Sequence, residues 1–426
     1  MSLSALPRRT LAALFGGPVV AIFLSANLVN LGNLGFNVLF SRWMGPELFG
    51  QLATLLTLFL AVMGVLGALQ LAVSQQVAGD RNQSGTLTAG LARFARIGFV
   101  AGLVALPVLV AACLALNLGP ALGLGSALLL PLLLLCLPFA LPLALARGIA
   151  TGSLAACSVI LSAQVEMWVR LIGAALAWQA GLGLPGVIAV IALSVVAGWL
   201  PLRSIFGRPA LPVPAIATGV VLATLPFAAL QAGQVLLMDG DVLLAQARLG
   251  PQDAGQLAAL GLFQRIQFFG CFSLAAVLLP AVVTEVAAGR SPLAAARPVF
   301  ALYAGVSGLL VGLACAFPAQ VLTALVGPAF LPAASLLPMI SASAAAFTLS
   351  YLLATYLAAI GDRWGIWAIT LASPLQLTAL ALSTDSLGDL VATKLTCQLA
   401  LATLLLLRAA RRSFPAASTA SLSTPA

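Results

Sequence analysis

Residues 45–53 read Gly-Pro-Glu-Leu-Phe-Gly-Gln-Leu-Ala, and residues 250–258 read Gly-Pro-Gln-Asp-Ala-Gly-Gln-Leu-Ala. An arginine precedes each copy closely, Arg42 in one case and Arg248 in the other, and each copy separates two apolar runs. A second pair, Gly119-Pro120-Ala121 and Gly327-Pro328-Ala329, recurs in the same order at nearly the same offset. Self-similarity at a fixed offset marks a duplicated unit. The turns themselves read as helix starts. Pro46 and Pro251 suit the first helical position, and Glu47 and Asp253 suit the positive end of the helix that follows.

The runs on either side of these turns decide the class. The 426 residues are 62% apolar and 7% charged, and the mean hydropathy is +1.14. A soluble domain carries about a quarter charged residues. This chain is therefore read as an all-α polytopic membrane protein. A helix needs about 20 apolar residues to cross the hydrocarbon, and about twelve runs qualify. They lie near 17–40, 51–73, 97–118, 122–145, 155–180, 184–202, 216–246, 257–280, 299–317, 333–357, 364–382 and 390–407. Arg8-Arg9 and the run after them read as an uncleaved first crossing, in preference to a signal peptide, because no small-residue cleavage site precedes Asn27. With six crossings per copy, the duplication predicts a parallel repeat of two six-helix lobes, 1–208 and 209–412, related by a pseudo-two-fold along the membrane normal. The segment 413–426, made largely of Ser, Thr, Ala and Pro, reads as a disordered cytoplasmic tail.

Basic residues set the orientation. With the N-terminus inside, all of them except Arg42, Arg170, Arg248, Arg265 and Lys394 fall on the inner side. That bias predicts both termini in the cytoplasm, and the protein is expected in the cell inner (plasma) membrane. The loops 81–96 and 203–214 are expected inside, and the turns 42–47 and 248–253 outside. The formal net charge of +9 reports topology, with no nucleic-acid partner implied.

Composition also excludes chemistry. Without histidine there is no imidazole base, metal ligand or proton switch. Lys394 is the only lysine, and no glycine-rich phosphate loop precedes it. Cys113, Cys136, Cys157, Cys271, Cys315 and Cys397 lack paired spacing and read as free packing thiols. No enzyme activity, cofactor or metal is expected.

These stretches carry a family resemblance. Arg42-Trp43-Met44-Gly45-Pro46-Glu47-Leu48-Phe49-Gly50, after Asn30-Leu31, is similar to the "R-x-L-G-P-E-x-F-G" turn of the polysaccharide-transporter branch of the multidrug/oligosaccharidyl-lipid/polysaccharide (MOP) exporter superfamily. Trp43 and Met44 depart from that pattern. Ala146-Arg147-Gly148-Ile149-Ala150-Thr151-Gly152 resembles that branch's "R-G-I-L-Q-G" at the start of the fifth helix. Asp241, Leu243 and Leu244 followed by Gly250-Pro251 resemble its seventh-helix stretch. Gly327-Pro328-Ala329-Phe330 and Leu357-Ala358-Ala359-Ile360-Gly361 resemble the start and end of its tenth helix. The resemblance implies an O-antigen-type flippase for a polyprenyl-diphosphate-linked oligosaccharide, working by alternating access. The partners it implies are that lipid-linked oligosaccharide, membrane lipid, a coupling H+ or Na+, and a polysaccharide polymerase or glycosyltransferases.

Charges at membrane depth are costly and mark cavities or pairs. Glu166 and Arg170 share a helix face at i,i+4 spacing. They read either as a self-neutralising pair or as an anion contact by Arg170 held by Glu166. Asp239, Asp241 and Arg265 lie at overlapping depths on neighbouring crossings. In the structural reading, Arg265 pairs with Asp241. In the functional one, Arg265 with Gln264 and Gln267 contacts a diphosphate, while Asp241 or Asp239, or Glu166 on the fifth crossing, handles a coupling ion. Asn27, Asn30, Asn33 and Asn37 form a polar stripe on the first crossing. That stripe serves helix–helix hydrogen bonding or, for a glycosidic substrate, sugar hydroxyls. Three other functions stay open: a cation-coupled multidrug exporter of the same superfamily, a membrane-embedded sugar polymerase or ligase, and a non-transporting component of a polysaccharide assembly complex. The second needs a sizeable outer loop, which the sequence lacks.

Overall fold

The computed structural model describes residues 18–79, 84–207, 214–383 and 385–413. Arg8-Arg9 and the tail expected at 413–426, apart from Ser413, lie outside the described residues, as do Arg81 and Arg208 in the two expected inner loops. Among the described residues every regular element is helical. In chain order the α-helices are α1 (Pro18–Gly79), α2 (Ser84–Ala115), α3 (Leu118–Ala121), α4 (Leu129–Leu134), α5 (Leu137–Gly152), α6 (Ala156–Trp168), α7 (Ala174–Gln179), α8 (Gly183–Trp199), α9 (Pro214–Arg248), α10 (Pro251–Ala287), α11 (Pro292–Ala316), α12 (Pro318–Val326), α13 (Leu337–Ala359), α14 (Trp364–Leu382) and α15 (Leu387–Ser413). A π-helical turn, Val169–Gly173, joins α6 to α7. In hydrocarbon only structures that satisfy their own backbone hydrogen bonds are tolerated, and helices do so within each segment, which suits the helical elements of the described residues.

Ten helical segments among the described residues are long and apolar enough to cross a membrane. The difference from about twelve expected runs has two sources. The runs near 17–40 and 51–73 fall in one helical stretch, Val20–Gly79, which bends at Gly45 without an intervening loop. The run near 257–280 falls in α10, whose described apolar stretch is the shorter Val277–Ala287. The segments differ in depth of packing. Only 6% of the most apolar window in Leu87–Ala115 is buried, against 61% in Leu129–Gly152 and in Pro328–Ala359. The first is thus suited to face lipid, and the latter two form cores.

The chain divides into two compact units. The first comprises Met1–Val235 with Gly250–Gly255, and the second Leu236–Leu249 with Gln256–Ala426.

The Gly-Pro turns have a backbone cause. Gly45 has φ 69° and ψ 179°, and Gly327 has φ 101° and ψ 171°. That region is essentially open to glycine alone. The proline that follows each glycine starts the next helical segment. Gly250 before Pro251 also has a positive φ, 102°. Gly119, expected to match Gly327, does not belong to the positive-φ set and sits inside the short α3. The second repeat anchor is therefore a match of letters without a match of backbone.

Gly50 and Gly255, which close the two copies of the G-P-x-x-x-G motif, have a packing role. A Cβ on Gly50 would overlap the carbonyl of Pro251, and one on Gly255 would overlap the carbonyl of Pro46. The two motif copies meet each other reciprocally.

The Arg-Gly stretch at 146–152 ends α5 rather than starting a helix. Its glycines let α5 lie close against α1. A Cβ on Gly148 would come within 2.8 Å of the Gln70 carbonyl, and one on Gly152 within 2.6 Å of the Ser74 carbonyl. Small residues four apart are the usual means of close helix approach in lipid. Around this crossing Leu69, Val73, Val77, Leu91, Ala95, Leu145 and Ile149 form a buried core.

Candidate functional site

The close α1–α5 crossing fixes Arg147 beside Gly148. Arg147 is counted from sequence among the inner-side loop charges, but its guanidinium is turned into the first unit. Its Nη2 donates to Glu166 Oε2 at 2.7 Å and its Nε to Ser162 Oγ at 2.9 Å. Ser162 in turn donates to the Gly198 carbonyl at 2.6 Å, tying the arrangement to α8.

Arg170 lies in the π-helical turn, a feature that often accompanies function because the added residue redirects side chains. It pairs with Glu166 Oε1, donates to Asn33 Oδ1 at 3.2 Å, reaches Ser194 Oγ at 3.5 Å and stands 5.2 Å from the centre of the Phe59 ring. One carboxylate thus holds two guanidinia, and the cluster carries a surplus positive charge. A cavity of about 210 Å³ opens on it, with a polar wall that includes Asn33, Gln70, Arg147, Glu166 and Arg170. The cluster offers paired donors and a cationic field to an anion, and one ring face to an apolar group.

The asparagine stripe divides. Asn33 joins the cluster through Arg170, and Asn37 is buried and donates to the Asn33 carbonyl at 2.8 Å. Asn27 and Asn30 are exposed and lie away from the cavity wall.

The second unit holds the other expected residues. Arg265 Nη2 pairs with Asp239 Oδ1 at 2.9 Å. The expected Arg265–Asp241 pair is not formed. Helix geometry explains this, since residues two apart point about 200° from each other and cannot share a partner. Asp241 instead pairs through Oδ2 with Lys394 Nζ of α15 at 2.8 Å. Gln264 supports that pair, accepting from Lys394 at 2.9 Å and donating to the Met238 carbonyl at 3.3 Å. Gln267 accepts from Ser341 Oγ at 2.9 Å. Gln376 and Gln398 both donate to the Leu237 carbonyl. Sequence reasoning passed over Arg147 and Lys394. Arg147 has an available signal, because it directly precedes a small-xxx-small pair that brings its helix against another.

Among the described residues no group of His, Cys, Asp or Glu side chains is placed to hold a metal ion. No family model and no curated protein matches the chain in sequence. Solved structures match it in fold. A multidrug resistance MATE family transporter of the MOP superfamily, in an inward-facing conformation, is similar with a TM-score of 0.77 at 14% identity, covering 91% of this chain and 95% of that one. The fold is MATE-like. An outward-facing MATE transporter of the same superfamily gives 0.61 at 15% identity, with 95% and 98% covered. A eukaryotic MATE transporter gives 0.60 at 16%, with 94% and 97% covered.

Proposed function

We propose that this chain is a membrane exporter of the multidrug kind, moving organic solutes by alternating access in the plasma membrane, with both termini in the cytoplasm. The observation that carries this reading is its likeness, over nearly the whole of both chains, to MATE transporters. In this reading the first-unit cavity receives the solute. Arg147, Arg170, Asn33 and Gln70 supply its polar contacts and Phe59 its apolar one. Glu166 is the exchangeable partner, because an incoming anion competes with it for the same two guanidinia. Every carboxylate put forward for ion coupling, Glu166, Asp239 and Asp241, already holds a cationic side chain. Coupling to H+ or Na+ then falls first to Glu166, whose partners change when substrate binds.

A second reading is favoured by one specific observation. The cavity's charge surplus suits a solute with an anionic group, and a polyprenyl-diphosphate-linked oligosaccharide is such a solute. Asn33, and Asn27 and Asn30 on the exposed part of the stripe, would then meet sugar hydroxyls, as amides can both donate and accept. Arg265 and Gln264 are committed to partners within the second unit and are the weaker candidates for diphosphate contact, whereas Gln267 accepts from Ser341 and its buried amide nitrogen has no partner.

The deciding experiment is flux in proteoliposomes with three substrates: an amphipathic drug cation, an amphipathic organic anion and a lipid-linked oligosaccharide. Flux of either small amphiphile, with drug resistance conferred on a sensitive host, supports the exporter reading. Flux of the lipid-linked oligosaccharide alone moves the function to the second reading. A protein that moves none of the three is not a transporter of either kind.

A further inference from the structure

The head of Lys394 is 1% exposed as part of a fully buried side chain, and it is surrounded by oxygen. The Met238 carbonyl lies at 2.6 Å, Asp241 Oδ2 at 2.8 Å and Gln264 Oε1 at 2.9 Å from Nζ. An ammonium has three donors and no acceptor, and here three acceptors meet three donors. The set consists of one carboxylate, one peptide carbonyl and one amide oxygen, which is the hard-oxygen environment that group I and II cations prefer. Two further buried acceptors nearby, Asp241 Oδ1 and Gln398 Oε1, have no hydrogen-bond partner. Gln398 sits one turn beyond Lys394 on α15, and its amide nitrogen is committed to Leu237 and Gln376. The site has more acceptors than the protein supplies donors, and negative potential in excess of what a neutral group could balance.

We propose that Lys394 is a tethered cation: its ammonium fills an oxygen-lined monovalent-cation site in the second unit, so that this unit is permanently loaded and takes up no free sodium. The inference rests on this geometry and stands whether or not the solute reading of the first-unit cavity holds. If it is right, the Asp241 site does not exchange ions in the native protein. Removing the tether should expose a site for a free monovalent cation.

The experiment uses the full chain in detergent. Thermal unfolding and binding of radiolabelled sodium are compared in sodium chloride, propylammonium chloride and choline chloride at equal ionic strength, for wild type, Lys394→Ala and Lys394→Ala/Asp241→Asn. The wild-type Tm is expected to be the same in sodium and choline. Lys394→Ala should melt well below wild type in choline and recover several degrees in sodium or propylammonium, with a gain that rises with the logarithm of cation concentration. The double variant should lose that response. Choline, too large for the vacated space, serves as the control. Lys394→Ser, whose hydroxyl adds an oxygen ligand, is the second variant. Recovery of either single variant in sodium but not in choline counts for the proposal, and recovery in propylammonium alone, with no bound sodium, overturns it, because any buried ammonium pocket would behave so. Equal Tm and no bound sodium in a folded Lys394→Ala overturns it. So does failure of both variants to fold in every salt, since a free cation should replace the tethered one. A sodium-stabilised wild type that loses the effect in Asp241→Asn also overturns it, because the native site would then be vacant.

Discussion

The two charged clusters are built from the same residue types to opposite ends. In the first unit one carboxylate, Glu166, is shared by Arg147 and Arg170, and the group faces a cavity. In the second unit Asp239 and Asp241 each have a partner of their own, Arg265 and Lys394, and the amide nitrogens of Gln376 and Gln398 both donate to the Leu237 carbonyl. A matched buried pair is often no better than neutral for stability and carries no net charge to offer a ligand. A mismatched cluster beside open space holds charge that a ligand can neutralise. On the proposed reading, the position of the surplus, rather than the number of intramembrane charges, separates a binding cluster from a framework pair.

The largest effect is expected where the match is broken in the second unit. Lys394→Met keeps the volume and removes the charge, leaving Asp241 buried alone at a cost of about 3–5 kcal/mol. Lys394→Met with Asp241→Leu should return most of the lost Tm. If the double variant stays as unstable as the single one, the pair is more than a neutral framework.

Glu166→Gln breaks the first cluster the other way, leaving two guanidinia facing each other. Because the cluster borders a cavity, a smaller cost of about 2–3 kcal/mol is expected. Inorganic pyrophosphate should raise the Tm of this variant more than that of wild type, and no second-unit variant should respond. An equal response in both units would erase the contrast.

Gly45→Ala probes the bend that shapes α1, on which Asn33 and Phe59 ride. At φ 69° and ψ 179° an added Cβ is strained, and a loss of about 1–3 kcal/mol is expected in thermal unfolding.

The smallest effect belongs to a third cluster with the stoichiometry of the first. Arg408 and Arg412, at the end of α15 and partly exposed, both donate at 2.9 and 3.0 Å to Oδ2 of Asp362, which lies between two candidate spans. Burial pushes the Asp362 carboxyl up, but the Trp364 N–H and the two guanidinia outweigh it and hold the group below its ordinary value. The native state therefore favours the ionised form. The stabilisation is complete above the unfolded value of about 3.9 and is lost as pH falls through the lower folded value. Tm against pH should be flatter for Asp362→Asn than for wild type in that acid range, and the two curves should run parallel above it.

Much of this is legible in the sequence. Hydropathy placed the segments from Leu87–Ala115 onward, apart from α10, because apolar length in lipid leaves a chain little choice. The i,i+4 spacing of Glu166 and Arg170 gave a pair that is formed, and the Gly-Pro turns start helices as their residue types imply. The partners that complete the clusters were not legible. Lys394 and Asp241 are 153 residues apart, and nothing periodic links them. The π-helical turn at Arg170 leaves no pattern in apolar spacing. Helix geometry alone separates the two carboxylates, since Asp239 and Asp241 lie on opposite faces of one helix and only one of them can face Arg265.

Transport by two variants tests the contrast most directly. Arg147→Gln removes the surplus charge while leaving Glu166 paired with Arg170, so its Tm should stay near wild type. Lys394→Met/Asp241→Leu removes a matched pair from the second unit. Measured in proteoliposomes with whichever solute the wild type moves, Arg147→Gln is expected to lose most of its flux and the double variant to keep it. Intact flux in Arg147→Gln, with flux abolished in a stable Lys394→Met/Asp241→Leu protein, would contradict the account and move the working site to the second unit.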